Sequence, residues 1–139
     1  FYTLYPTNHK FYGHMDYFYV SSPHKNTGLW DNYVNATYKS SALTTYNLAI
    51  HHFEVPGKII DYNRRKTNPA LGNEVDFSLL HQLPGGIKIS GGYSQMFNAA
   101  SMKYVKNISE SQKMKPNQNW VWLSLNVQPE ILLFRKPIE

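Results

Sequence analysis

Apolar and polar residues alternate with a period of two along much of this chain. The clearest case lies near its end, where every second position is a branched apolar residue: Val121, Leu123, Leu125 and Val127. Such alternation is typical of a β-strand whose two faces meet different surroundings. Six segments show it, namely 11–19, 29–39, 46–51, 74–82, 87–94 and 120–128. The pattern therefore predicts an all-β protein with about six recognisable strands.

The connections between these segments alternate in length. Two are short, "SSALTT" at 40–45 and "LPGG" at 83–86, whereas three are long, at 21–28, 55–72 and 98–118. Outer-membrane β-barrels have short periplasmic turns and longer outer loops. The spacing therefore predicts an antiparallel arrangement with the short turns in the periplasm. We expect the loops at 55–72 and 98–118 to fold inward and narrow a pore.

Composition favours the same class of protein. Aromatic residues make up 15% of the chain and charged residues only 17%, against about 25% charged residues in ordinary soluble domains. The net charge is +5, but the basic residues are scattered apart from one run at 64–66, so no nucleic-acid partner is expected. No apolar run reaches the roughly 20 residues of a membrane-spanning helix. The chain opens at Phe1 without a signal peptide, which predicts a mature region or a piece of a longer protein.

Two interpretations of the apolar faces remain open. In one, the apolar face of the first segment, with Met15 and Tyr17, meets lipid, and aromatic residues near strand ends form interfacial girdles; these are Trp30, Tyr38, Tyr46 and Tyr93. In the other, the same faces form the core of a soluble sandwich or small barrel. Loop alternation and the charge-poor faces favour the membrane.

Six strands are too few to close a membrane barrel, which begins at about eight strands in bacteria. An open edge in lipid would leave backbone groups unpaired at several kcal/mol each. The chain, residues 1–139, is therefore predicted to be a single β-barrel domain or the C-terminal part of one. The missing strands would come from residues 1–10 and 130–134 or, as the favoured alternative, from the rest of a larger barrel, with other envelope proteins as a further source.

Several segments of the sequence resemble those of the alginate-export family of bacterial outer-membrane proteins, particularly its porin-like members in Bacteroidetes-type bacteria. They are "LYPTNHKFYGHMDYF" at 4–18, "GLWDNYV" at 28–34, "HHF" at 51–53, "GNEVDF" at 72–77, "GGYSQMF" at 91–97 and "NWVWLSL" at 119–125. The resemblance covers nearly the whole chain and matches the C-terminal part of the family's domain. It implies a barrel of about 18 strands in the outer membrane, in contact with lipid and lipopolysaccharide. It also implies passage of hydrophilic solutes or polysaccharide and no enzymatic chemistry.

Charged residues on the polar faces are the candidate pore-lining residues, because rings of charge select solutes by sign and size. They are Asp16, Asp31, Lys39, Glu74, Asp76 and Lys88. Their mixed signs depart from the strongly basic lumen of the family's alginate exporter, which puts alginate itself in doubt as the substrate. The basic run Arg64, Arg65 and Lys66 is a candidate contact for an anionic sugar or a lipopolysaccharide phosphate, with a solvated loop as the alternative.

No cofactor, metal or catalytic site is expected. The chain has no cysteine, and His51 and His52 are adjacent, so on a strand they face opposite sides. Glu74 and Asp76 lie about 7 Å apart on one face, but any polar strand face produces such pairs. The rival function is a soluble carbohydrate-binding β-barrel of the periplasm or cell surface that uses Trp30, Trp120 and Trp122. A third interpretation is a structural envelope component with a plugged lumen.

Overall fold

The computed structural model describes residues 12–18 and 28–128, and within them the protein is all-β apart from one helical turn. The strands are β1 (Trp30–Lys39), β2 (Thr44–Glu54), β3 (Ile59–Ile60), β4 (Lys66–Thr67), β5 (Ala70–Leu83), β6 (Ile87–Asn98) and β7 (Asn117–Val127). The helical turn, α1, spans Met102–Val105. No helix in the described ranges has the length and apolar character needed to cross a membrane.

Five long strands form one antiparallel sheet in the order β1-β2-β5-β6-β7. Each strand pairs antiparallel with the next one in this order, and a hairpin turn or a longer connection joins the two. The short strands β3 and β4 pair separately. These five strands correspond to five of the six alternating segments, and β2, β5 and β6 extend well beyond the alternation that predicted them. The predicted antiparallel all-β class is confirmed for this part of the chain.

Short and long connections lie at opposite ends of the sheet. Residues 40–43 and 84–86 form the tight turns at one end, which we call the short-turn end. Residues 55–69, which include β3 and β4, and residues 99–116, which include α1, lie at the other, the long-loop end. The predicted alternation of connections is therefore present between β1 and β7, although neither the β3–β4 hairpin nor α1 was expected. The predicted long connection at 21–28 lies outside the described residues apart from Gly28.

The prediction of a strand at 11–19 is wrong for its described part. Residues 12–18 form turns, with positive φ angles at Tyr12, Gly13 and Asp16. Glycine and aspartate tolerate these conformations and favour turns. Met15 and Tyr17, which the alternation directed toward lipid, instead pack against a buried cluster. Period-two spacing is an unreliable sign of a strand where turn-forming residues interrupt it.

The buried cluster lies at the long-loop end and joins the turn segment to the sheet and the loops. It contains Phe18, Phe53, Val55, Ile59, Leu71, Met96, Met102 and Val105. The rings of Phe18 and Phe53 are 4.7 Å apart. The long connections also contact each other, because the Tyr62 hydroxyl donates to the Ile108 carbonyl and its ring meets Tyr104 edge-on at 4.9 Å. The core thus closes the long-loop end of the sheet.

Candidate functional site

One face of the sheet is apolar and exposed; we call it the outer face. Register places one residue of each strand side by side on it, for example Ala36, Leu48, Phe77, Tyr93 and Val121. Val34 is 72% exposed and Leu123 is 81% exposed. Tyr38, Tyr46 and Phe77 stack in a row across three strands, with centroids 6.3 Å apart in each pair. A broad exposed patch of this kind marks a surface with a partner other than water.

The outer face is polar at its long-loop end. Asn32, His52 and Asn73 are aligned by the sheet register there, and His52 hydrogen-bonds Asn73 at 2.7 Å and Glu54 at 3.0 Å. On β1, β2 and β5 the apolar residues are therefore bounded by polar ones at this end, whereas β6 continues with Phe97, which pairs with Asn73 and is 45% exposed.

The opposite face, which we call the inner face, is polar and partly buried. Asp76 pairs across the sheet with Ala49 and Ser94, and Glu74 pairs with His51 and Met96. Glu74, Asp76 and Ser94 are at most 1% exposed. Carboxylates are almost never fully buried unless they are paired. The sheet thus buries acids and exposes apolar residues, the reverse of a soluble antiparallel sheet.

Residues 12–18 cover the two buried carboxylates. The backbone amide of His14 donates to Asp76 Oδ2 at 3.1 Å, and that of Met15 donates to Glu74 Oε1 at 2.7 Å. Gly13 lies so close that a Cβ there would come within 2.5 Å of the Glu74 carboxylate, and its φ is +82°. The close approach and the positive φ both require glycine at this position.

Lys106 contacts the C-terminal part of this segment, at Tyr17 and Phe18. Its ammonium group donates to the Tyr17 carbonyl oxygen and lies 4.8 Å from the centre of the Phe18 ring. Burial lowers the pKa of Lys106 to about 8 and also raises the pKa of the Tyr17 hydroxyl. The segment is therefore held on one side by the carboxyl groups of Glu74 and Asp76 and on the other by Lys106, in the connection after β6.

His51 links three strands of the inner face. Its Nδ1 lies 3.0 Å from both carboxylate oxygens of Asp31 on β1, and its Nε2 lies 3.8 Å from Asp76 Oδ2 on β5. Its ring stacks between Tyr33 at 5.3 Å and Phe53 at 5.6 Å. Sequence analysis missed this group because the three residues come together only through strand register.

A cavity of about 380 Å³ lies between the turn segment and the inner face of β1, β2 and β5. Asp31, His51 and Asp76 line it, together with the aromatic residues Tyr12 and Tyr33. The described residues contain no group of three or more histidine and carboxylate side chains arranged to hold a metal ion.

Five of the six predicted pore-lining residues share the inner face, but they lie at two levels. Asp31, Glu74 and Asp76 lie toward the long-loop end, whereas Lys39 adjoins the 40–43 turn and Lys88 is the second residue of β6. Asp16 belongs to the turn segment and to no strand. The inner face is therefore acidic near one end and basic near the other, instead of carrying one mixed ring.

The predicted loop contact residues lie at the β3–β4 turn. Arg64 has a positive φ of 61°, and the amide of Arg65 donates to the Asp61 carboxylate at 2.7 Å. Arg64, Arg65 and Lys66 are all exposed, which keeps their side chains accessible at the long-loop end.

An indole ring covers the inner face beside the carboxylates. Trp122 faces Gly92 in the register of β6 and β7, and a Cβ at Gly92 would clash with this indole and approach the Phe77 carbonyl oxygen to 2.8 Å. His14 meets the Trp122 ring edge-on at 6.5 Å. Glycine at position 92 thus leaves room for the indole beside the strand, next to the turn segment.

These features define a class: an antiparallel β-sheet with an exposed apolar band on one face, a polar and partly buried opposite face, and a chain segment docked on that polar face. No protein-family model, curated protein or solved structure shows a significant match to the chain. The resemblance to the alginate-export family therefore stays a prediction from the motifs quoted above.

Proposed function

We propose that the chain forms part of the wall of a bacterial outer-membrane β-barrel channel for hydrophilic solutes. The observation that carries the proposal is the reversed burial of the sheet: Glu74 and Asp76 are 0% and 1% exposed, while Leu123 and Val34 are 81% and 72% exposed. In water this arrangement is unfavourable on both faces. In a membrane wall, lipid covers the apolar band, and the polar inner face turns to the lumen, where the turn segment covers Glu74 and Asp76.

The dimensions of the apolar band support the proposal. On β7 it runs from Val121 to Val127, six residue steps that cover roughly 20 Å at the usual rise. The apolar band of outer-membrane barrels is about 25 Å tall. The aromatic row of Tyr38, Tyr46 and Phe77 crosses this band and supplies rings that suit lipid contact.

The two edges of the sheet indicate a larger wall. Among the described strands, β1 and β7 each pair on one side only, and both are ten or more residues long. Long edges with exposed apolar residues are avoided in soluble proteins and cost several kcal/mol per unpaired group in lipid. Further strands that pair with β1 and β7 would complete the barrel.

Transport would proceed along the inner face, with the turn segment and the loop 99–116 narrowing the long-loop end. Lys39 and Lys88, at the short-turn end, would then contact solutes at the other end of the lumen. The proposal that polysaccharide passes through the channel rests on the family resemblance alone. A polar lumen would suit small hydrophilic solutes as well as it suits polysaccharide.

The test is an immunoblot of membrane and soluble fractions from the source cells, with heated and unheated samples on one gel. An outer-membrane band that changes mobility on heating, at a mass several times 16.1 kDa, supports the barrel and its missing strands. A heat-indifferent band in the soluble fraction would overturn the proposal and favour the soluble carbohydrate binder. A heat-modifiable barrel without conductance in planar bilayers would favour the plugged structural component.

A further inference from the structure

The cavity between the turn segment and the inner face has a buried part and an accessible part. Its volume of about 380 Å³ falls within the range of roughly 300–1,000 Å³ that small-molecule sites occupy. The part lined by Asp31 and Asp76 is buried, because these side chains are only 8% and 1% exposed. The part nearer the short-turn end is lined by Tyr33, Asn35 and Asn47, and both Tyr33 and Asn35 are exposed. A ligand in the cavity would therefore contact the ring of Tyr33 and the two amides.

The charged groups of the lining already have partners. Both carboxylate oxygens of Asp31 lie 3.0 Å from Nδ1 of His51, and Asp76 accepts the backbone amide of His14 at 3.1 Å. None of the residues that line the cavity is lysine or arginine. A charged ligand would lose its hydration without gaining a counter-charge, which is costly. The lining therefore favours a ligand that carries no charge.

The two amides form a fixed hydrogen-bonding group on the inner face. Asn47 Nδ2 donates to Asn35 Oδ1 and to Thr37 Oγ1, both at 2.9 Å, and Asn35 Nδ2 donates to Asn47 Oδ1 at 3.4 Å. These contacts use both hydrogens of the Asn47 amide group. They leave one N–H of Asn35 and one lone pair of Asn47 Oδ1 for a ligand. A hydroxyl group both donates and accepts, so hydroxyl groups match this pair of positions.

Tyr33 offers a flat apolar surface beside the amides. Its ring stacks on His51, with centroids 5.3 Å apart and planes inclined by 19°, and the residue is 64% exposed, so the other side of the ring is open to a ligand. Tyr33 and Asn35 share one face of β1 at a spacing of roughly 7 Å. The negative face of an aromatic ring attracts C–H groups. A pyranose has C–H groups on its face and hydroxyl groups at its rim, so it can stack on Tyr33 while its rim meets Asn35.

We infer that this cavity binds one uncharged sugar ring, stacked on Tyr33 and hydrogen-bonded by the Asn35–Asn47 pair. The inference deepens the proposed channel function, because it assigns the channel a class of solute. It rests on that function for the route by which a sugar reaches the inner face. A uronate would bring a negative charge near Asp31 with no cation in the lining to balance it, so the same site disfavours acidic sugars.

The test is a saturation-transfer NMR titration of the protein purified from its source cells, in a detergent without a sugar headgroup if the protein fractionates with the membrane. The probes are the uncharged methyl glycosides of glucose, galactose and mannose, each with its uronate counterpart. We expect at least one uncharged glycoside to bind, and its uronate to bind at least about fivefold more weakly. Absence of binding by all three uncharged glycosides, or equal binding of the uronate, would overturn the inference.

Substitutions at exposed positions of β1 locate the binding. Tyr33→Leu should weaken the binding of the sugar about fivefold, whereas Tyr33→Phe keeps the ring and should retain it. Tyr38→Leu removes an exposed ring from the outer face of the same strand and should leave binding unchanged. Asn35→Ala should weaken binding about fivefold through the lost hydrogen bond, whereas Asn32→Ala, on the outer face, should not. Equal affinities of Tyr33→Leu and Tyr38→Leu for the sugar would contradict the inference.

The outcomes separate this inference from the channel itself. A heat-modifiable, conducting barrel that binds none of the glycosides would defeat the sugar site and leave the channel standing. A soluble protein that binds an uncharged glycoside through Tyr33 would defeat the channel and leave the sugar site standing.

Discussion

The amide of Met15 donates a 2.7 Å hydrogen bond to Oε1 of Glu74, a residue 59 positions further along the chain. This contact joins a turn segment to the central strand of the sheet, and the His14 amide repeats it with Asp76. Two backbone donors thus meet two buried carboxylates. An intramolecular hydrogen bond contributes about 0.5–1.5 kcal/mol net, so these two bonds add to the contacts with Lys106 and the buried cluster that also hold the segment.

Replacement of Gly13 should release the segment. Gly13→Ala places a Cβ within 2.5 Å of the Glu74 carboxylate and forces a side chain into a φ of +82°, which costs about 1–2 kcal/mol before the clash is counted. We expect faster hydrogen exchange at the His14 and Met15 amides and a higher conductance. Gly85→Ala is the matched control, since its φ is +78° and nothing lies within 4 Å of the added Cβ. Slow exchange in both variants would show that the segment is not held by this contact.

A lysine should be tolerated on the inner face of β7 and should destabilise the protein on the outer face. Leu123 is 81% exposed on the outer face, and Ser124 lies beside it on the inner face, opposite Ser90. Leu123→Lys should destabilise the folded protein in bilayers by about 2–4 kcal/mol, whereas Ser124→Lys should have little effect. The measurement is urea unfolding in lipid vesicles. Equal destabilisation by the two variants would contradict lipid contact of the outer face.

The lysines at the short-turn end of the inner face, Lys39 and Lys88, should set the ion preference of the channel. Lys88 pairs with Gln82 and Asn126 on the inner face and is exposed. Lys88→Glu changes the local charge by two units, so the reversal potential in a salt gradient should shift toward cation preference. Lys58→Glu, in the connection 55–69, makes the same change on an exposed loop and should shift it less. An unchanged reversal potential in Lys88→Glu would remove Lys88 from the conducting wall.

The contribution of Lys106 to docking of the turn segment should become more favourable as pH rises from about 8 toward 10. Burial lowers the pKa of Lys106 from its ordinary 10.5 to about 8, so in this window the undocked state binds more protons and docking gains stability with pH. Below pH 8, this contribution should be flat. Tyr17, whose pKa burial raises, acts in the opposite direction above its ordinary value of 10.0.

The measurement for Lys106 is protection of the His14 and Met15 amides against hydrogen exchange, corrected for the intrinsic pH dependence of exchange. Lys106→Met keeps an apolar side chain and removes the titrating amine, so amide protection in the wild-type protein should gain on protection in the variant between pH 8 and 10. A difference that stays constant over this window would show that Lys106 does not set the pH dependence.

The turn at 12–18 shows where sequence reasoning failed. The alternation of Phe11, Gly13, Met15, Tyr17 and Tyr19 predicted a lipid-facing strand, but Gly13 and Asp16 were turn signals of equal strength. The segment reaches its place through hydrogen bonds to carboxylates about 60 residues away. Neither its docking nor the cavity beneath it has a local signature in the sequence.

The sequence by itself determined the five long strands, the face that each residue occupies and the alternation of short and long connections. These are local properties, because successive side chains on a strand point to opposite sides whatever its partner is. The tertiary structure alone decided that Asp31, His51 and Asp76 meet, since cross-strand register joins residues distant in the chain. It also decided that Glu74 and Asp76 are buried, because their cover comes from a turn segment that no periodicity could assign to them.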